Sequence, residues 1–203
     1  IIIGGRIGYV LFYNFEFYLN HPMEIIKIWN GGMSFHGGLL GIIISTYAFC
    51  INQKESFFDL TDLLALVAPI GIFFGRIANF VNGELYGRIT ESSMGIIFLN
   101  GGPLPRHPSQ LYEALFEGII LYLILNFSFF LTKLKKYKGS VTGLFLLLYG
   151  FFRFFIEYFR EPDGHIGLIY FNFSMGQILS LPMIVFGLYF MISFYNRNTN
   201  NEH

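Results

Sequence analysis

LYEALFEGIILYLILNFSFFL, residues 111–131, decides how the rest of the chain is read. After Glu117 the run carries no charged side chain, and as a helix rising 1.5 Å per residue it covers the roughly 30 Å of hydrocarbon in a bilayer. SMGQILSLPMIVFGLYFMISFY, residues 174–195, is a second stretch of that kind. The composition agrees: 54% of the residues are hydrophobic and 13% charged, against roughly a quarter charged in ordinary soluble domains. Thirteen Lys and Arg balance thirteen Asp and Glu, which excludes a basic nucleic-acid binder. A content of 20% aromatic residues excludes a disordered chain. What remains is an all-α protein, a polytopic bundle of transmembrane helices.

Three further stretches extend the pattern. Val141 to Phe159 is apolar apart from Arg153 and Glu157; Leu60 to Asn82 carries Asp62, Arg76 and Asn79; His36 to Ile51 is short and opens on Gly37 and Gly38. Ile1 to Tyr13 covers only about 20 Å as a helix, too little to span. We therefore expect about six spans in this chain, the first incomplete, within a single integral membrane domain covering 1–203. Because the sequence starts at Ile1, the natural protein is expected to have a further N-terminal span, making seven.

Orientation follows from TKLKKYKGS at 132–140, which holds four lysines, and from Lys54 and Arg197. The positive-inside rule puts these segments and the C-terminus in the cytoplasm. The opposite, outer face then collects HGG at 36–38, GRIANFVNGELYGR at 75–88, RHPSQ at 106–110 and YGFFRFFIEYFREPDG at 149–164. Convergence of four polar stretches on one face is the main sign of a site.

Tyr149, Arg153 and Glu157 are spaced four apart and stack along one side of a helix, with Arg160 close to the same stripe. Glu157 could simply neutralise Arg153, but a second intramembrane arginine, Arg76, gives the pair of helices more cation than knitting requires, and intramembrane ionisable residues default to function. Two guanidiniums at headgroup level suit an anion clamp, and phosphate is the anion that a bilayer supplies in quantity. Glu113 and Glu117 either counter those arginines across the bundle or occupy a favourable helix N-terminal region. His36 is a candidate general base at neutral pH and equally a helix N-cap or a ring bonded to a backbone carbonyl. His107, followed by Pro108 and then Gln110, reads as a cap. The single cysteine, Cys50, is read as packing. No HExxH or CxxC spacing exists, so no metal site is expected.

GRIANFVNGELYGR at 75–88 resembles the signature of the prolipoprotein diacylglyceryl transferase family. GGMSFHGGLLG at 31–41, RHPSQLYEA at 106–114, YGFFRFFIEYFREPD at 149–163 and SMGQILSLPM at 174–183 resemble its other blocks in the same order. The resemblance implies a bacterial inner-membrane enzyme whose active site faces the periplasm. It implies transfer of the diacylglyceryl group of phosphatidylglycerol to the lipobox cysteine thiol of a preprolipoprotein, forming a thioether and releasing glycerol 1-phosphate without a cofactor. By motif it also implies that Arg76 and Arg153 contact the phospholipid headgroup, that Asn79, Glu84, Gly87, Tyr149, Glu157 and Arg160 shape the site, and that His36 is the base. Arg6, in GGRIGY, matches a polar family position of unspecified role. The competing class is a transporter or channel in which the arginines line an anion or lipid pathway; the two arginine-bearing blocks are not repeats of each other, which that class would favour.

Overall fold

The computed structural model describes residues 1–161 and 173–199, and the regular elements among those residues are helices, with no β-strand. The chain divides into two compact units, Ile1–Leu60 and Thr61–His203.

In the first unit α1 (Ile2–Phe12) packs on α3 (Phe35–Gln53), with the short α2 (Phe15–Asn20) and two 3-10 turns between them. Gly4 and Gly8 on α1 face Gly37 and Gly41 on α3; a Cβ on Gly8 would stand 2.8 Å from the Gly37 Cα, and one on Gly41 would stand 3.4 Å from the Gly4 Cα. Each helix thus offers a small-xxx-small face, and the backbones approach as only glycines allow. Arg6 is buried among this unit's connections, with its Nε donating to the Ile25 carbonyl at 2.9 Å and its Nη atoms to the carbonyls of Glu24, Lys27, Gly31 and Gly32. Its guanidinium also lies 5.1 Å from the centre of the Tyr18 ring. One arginine thereby saturates the backbone acceptors of a segment too irregular to satisfy itself. In the same segment the Lys27 ammonium, hydrogen-bonded to Glu24, holds that carboxyl below its ordinary value.

The longest elements follow. α4 (Phe57–Val81) leads through the connection at 82–108 into α5 (Ser109–Glu113), which continues as a π-helix (Ala114–Ile120) and then α6 (Leu121–Leu131); α7 (Ser140–Ile156) and α8 (Met175–Thr199) complete the order. Among the described residues three helices are long and apolar enough to cross a membrane: Phe57–Val81, Ser109–Leu131 and Met175–Ser193. Three of the expected spans meet these criteria, and Ile2–Phe12 and Ser140–Ile156 are shorter apolar helices. α7 is shorter than the expected Val141–Phe159, because the helix ends at Ile156 and residues 157–159 turn; its 17 residues reach about 25 Å.

The second unit exposes many large apolar side chains and buries several polar ones beside a small apolar centre. Leu63, Val67 and Phe74 on α4, Phe127 and Phe130 on α6, and Val185 and Ile192 on α8 are exposed, the distribution expected when lipid is the solvent. Ala65, Leu66, Leu121, Leu125 and Val141 form a small apolar centre, while Asp62, Gln110, Glu113 and Glu117 are buried. The Asp62 carboxylate accepts from the Gly139 and Thr142 N–H groups at 2.7 Å each and from the Thr142 hydroxyl at 2.6 Å. An acid on α4 therefore caps the first turn of α7, satisfying donors that no intrahelical partner can reach.

Candidate functional site

Three elements of the second unit present charge to one another. Arg76 lies in the last turns of α4, Glu113 and Glu117 lie on α5 and its π-helical continuation, and Arg153, Glu157 and Arg160 lie on or just beyond the end of α7. Glu113 is the hub. Its Oε2 is 2.9 Å from Arg76 Nε, and its Oε1 is 2.7 Å from Arg153 Nη1 and 3.8 Å from Arg160 Nη1. Glu117 adds contacts at 3.4 Å to Arg76 Nη2 and 3.6 Å to Arg153 Nη1, and Glu157 Oε2 meets Arg153 Nη2 at 3.0 Å.

The sequence leads one to expect a surplus of cation at this point; among the described residues three arginines instead face three glutamates. Burial of so many charges is tolerable only because each has an opposite partner, since an unpaired one would cost several kcal/mol. The two signs are not buried alike. The Glu113 and Glu117 side chains are fully buried, whereas those of Arg76 and Arg153 keep 18% and 13% of their surface. Carboxylates thus lie behind and guanidiniums in front. Among the described residues Arg76 engages its carboxylates through Nε and Nη2. The π-helix lies where Glu117 joins the cluster, a placement common at functional sites.

The connection at 82–108 is fastened over the end of α7. Gly87 N–H donates to the His107 carbonyl at 2.9 Å, Arg88 N–H donates to the Phe159 carbonyl at 2.9 Å, and Arg88 Nε donates to the Arg160 carbonyl at 2.9 Å. Arg106 donates to the Gly101 and Gly87 carbonyls and pairs with Glu161. Gly87 sits where these segments meet, and a Cβ there would stand 2.6 Å from the His107 carbonyl oxygen. Glycine is therefore required at 87 for backbone approach. Asn79 and Glu84, which the resemblance places at the site, hydrogen-bond to each other at 2.9 Å, and Asn82 adds a weaker contact to Glu84 at 3.4 Å. The Glu84 carbonyl accepts from the buried Gln110 amide at 2.6 Å, and the Leu85 carbonyl accepts from Ser109 Oγ at 3.2 Å. Leu85 has φ +54°, an uncommon backbone for a branched residue, inside this latched turn. Tyr149 stacks on Phe145, ring centres 5.7 Å apart, one turn before Arg153.

His36 belongs to the first unit. The N-cap of α3 is Ser34, whose hydroxyl accepts from the Gly37 N–H at 3.3 Å; His36 is an exposed residue of the helix's first turn and so is not the cap. His107 is not a cap either: Pro108 is the N-cap residue, and the His107 Nδ1 lies 3.3 Å from the Tyr112 hydroxyl. The structure therefore brings 75–88, 106–110 and 149–161 together; the rest of YFREPDG beyond Glu161 lies outside the described residues. Glu113 and Glu117 are visible in the sequence without a settled role, and the geometry selects the cross-bundle alternative.

Residues 1–193 match the family model described as prolipoprotein diacylglyceryl transferase. The phosphatidylglycerol–prolipoprotein diacylglyceryl transferase of Rickettsia akari is 58% identical over 189 residues, covering 93% of this chain and 73% of the relative. That of Rickettsia bellii is 55% identical, with coverages of 95% and 73%. That of Ehrlichia canis is 54% identical over 193 residues, with coverages of 94% and 74%.

Proposed function

The chain belongs to the prolipoprotein diacylglyceryl transferase family, and from that membership we propose that it moves a diacylglyceryl group from phosphatidylglycerol to the lipobox cysteine of a preprolipoprotein, the first step of lipoprotein maturation. The observation carrying the site assignment is the cluster in which Arg76 and Arg153 keep an accessible edge while Glu113 holds both from behind.

The chemistry follows from that arrangement. The phosphodiester of the lipid docks on the accessible donors of the two guanidiniums. The cysteine thiol, with an ordinary pKa near 8.5, must lose its proton to become a strong nucleophile. The thiolate attacks the glycerol carbon that bears the phosphate ester; a C–S bond forms, the C–O bond breaks, and glycerol 1-phosphate departs with the bond's electron pair. Arg76 and Arg153 stabilise the charge that grows on the leaving phosphate. His36 is assigned as the proton acceptor, and Tyr149, Glu157 and Arg160 as residues that shape the site. Asn79, Glu84 and Gly87 form the wall beside it; the hydrogen bonds of Asn79 with Glu84 and the close approach at Gly87 support a shaping role more than direct lipid contact.

We place the protein in the bacterial inner membrane with α3, α4, the α5–α6 helix, α7 and α8 as spans and α1 as an incomplete one, the cluster toward the periplasm and the lysine-rich segment at 132–140 in the cytoplasm. The testing experiment is transfer of labelled diacylglyceryl from phosphatidylglycerol to a lipobox peptide, with a Cys→Ser peptide as control. Label on the cysteine peptide alone supports the reading. Its absence with a well-folded full-length protein refutes it and returns the transporter class.

A further inference from the structure

The start of α8, Ser174-Met175-Gly176-Gln177, has no role in the transfer chemistry above, yet it closes on one of the cluster's carboxylates. Ser174 N–H donates to Gln177 Oε1 at 3.1 Å, and Gln177 N–H donates to Ser174 Oγ at 3.3 Å, a reciprocal cap of the helix N-terminus. The same serine hydroxyl donates across the bundle to Glu157 Oε1 at 3.0 Å. A Cβ on Gly176 would stand 2.6 Å from Glu157 Cδ and 2.7 Å from each of its oxygens. Ser174, Gln177 and Glu157 are 3%, 3% and 6% exposed.

Gly176 differs from the other close glycines of this unit. Gly143, Gly150 and Gly187 approach backbone or apolar side chains of the neighbouring helix, which is ordinary helix packing. What fills the space above Gly176 is a carboxylate. The Glu157 side chain rests on the first turn of α8, where N–H groups and the helix dipole favour an anion, with one oxygen on Ser174 and the other 3.0 Å from Arg153 Nη2. Gln177 Nε2 reaches the Phe154 carbonyl at 3.5 Å and ties the same turn to α7. Glu157 is therefore a strut between the start of α8 and the guanidinium of Arg153.

We propose that Ser174 and Gly176 are positioning residues for the transfer reaction, seating Glu157 so that it holds Arg153 in the orientation that receives the lipid phosphate. This rests on the assignment of Arg153 as a phosphate contact. Without the seat, Glu157 is pushed off α8 and Arg153 loses one of its two sides of support; Glu113 and Glu117 then draw the guanidinium inward, away from the ligand.

Two measurements on the full-length protein test this. In steady-state transfer, Gly176→Ala lowers kcat/KM for phosphatidylglycerol by about 10- to 100-fold, leaves the KM for the lipobox peptide near that of the wild type, and Ser174→Thr retains activity that Ser174→Ala loses. In thermal unfolding in detergent, Gly176→Ala lowers Tm in the wild-type background and does so much less in a Glu157→Ala background, where the carboxylate is gone. Equal Tm penalties in both backgrounds, wild-type kcat/KM in Gly176→Ala, or equal losses toward both substrates each overturn the proposal. A wild-type protein that performs no transfer would remove the reading of Arg153 and this role together, while the thermal coupling would still register the contact. The two failures are thus told apart.

Discussion

Arg153 Nη1 stands 2.7 Å from Glu113 Oε1, so the end of α7 is tied to α5 by a carboxylate with no exposed surface. Because the other oxygen of Glu113 holds Arg76 at 2.9 Å, the two arginines share an anchor and cannot move independently. The anchor sets the spacing of the donors offered to a phosphate.

Glu113→Gln keeps the volume of the side chain and removes its charge, leaving guanidiniums in a low-dielectric interior with too little counter-charge. Breaking a buried pair in this way costs about 3–5 kcal/mol. The expected outcome is a clear fall in Tm in detergent together with loss of transfer, and an unchanged Tm would show that Glu113 does not carry the cluster.

Arg76→Lys preserves charge and gives up the planar fork that engages Glu113, Glu117 and a phosphate at once. Transfer should fall by about 100-fold or more with insertion into the membrane intact. Initial rates at saturating peptide, with membrane fractionation alongside, check this; near-normal rates would mean that point charge alone suffices.

Asp62→Ala removes the side chain that caps α7, at the end of α4 remote from Arg76. A lost cap of this kind, with buried donors left unmet, is worth about 1–3 kcal/mol. Hydrogen exchange at the amides of Gly139 and Thr142 should accelerate and Tm should drop, while kcat per folded molecule stays close to that of the wild type. Loss of kcat at unchanged Tm would contradict a purely structural role.

Gly87→Ala places a methyl group against the carbonyls of His107 and Phe159 and forces apart the seam between the connection at 82–108 and residues 159–161. Limited proteolysis should cut the connection faster than in the wild type, and transfer should decline with it. Rapid loss of transfer with no change in proteolysis would instead indicate direct lipid contact at position 87.

The apolar runs make the helical class legible, because a membrane span must be long and uniformly apolar. Arg76, Arg153 and Glu157 are legible as well, since a charge inside such a run is costly and stands out. The partners are harder to see. Glu113 and Glu117 sit at the beginning of a helix, where an acid has a local explanation, and only the three-dimensional arrangement reveals that they face guanidiniums from two other helices. Asp62 stands out as an acid in an apolar run, but its partners are mostly backbone N–H groups, which carry no signature in side-chain sequence. Gly4, Gly8, Gly37 and Gly41 lie in plain sight, yet which glycines meet depends on register between α1 and α3. Ser174 and Gly176 are common residue types whose importance arises from what lies opposite.

The order in which the charges find partners has a bearing on biogenesis. Asp62 is bonded to residues 77 and 80 positions later in the chain, and Arg76 awaits Glu113 and Glu117 on a helix made after a long polar connection. During synthesis α4 thus enters the lipid phase with ionisable side chains near both ends before Glu113, Glu117, Gly139 and Thr142 have been made. It must rest with those ends at the two headgroup layers until its successors emerge. A ribosome paused before α7 would leave this helix inserted with Asp62 still waiting for the Gly139 and Thr142 donors, which makes the nascent chain an early target for membrane quality-control proteases.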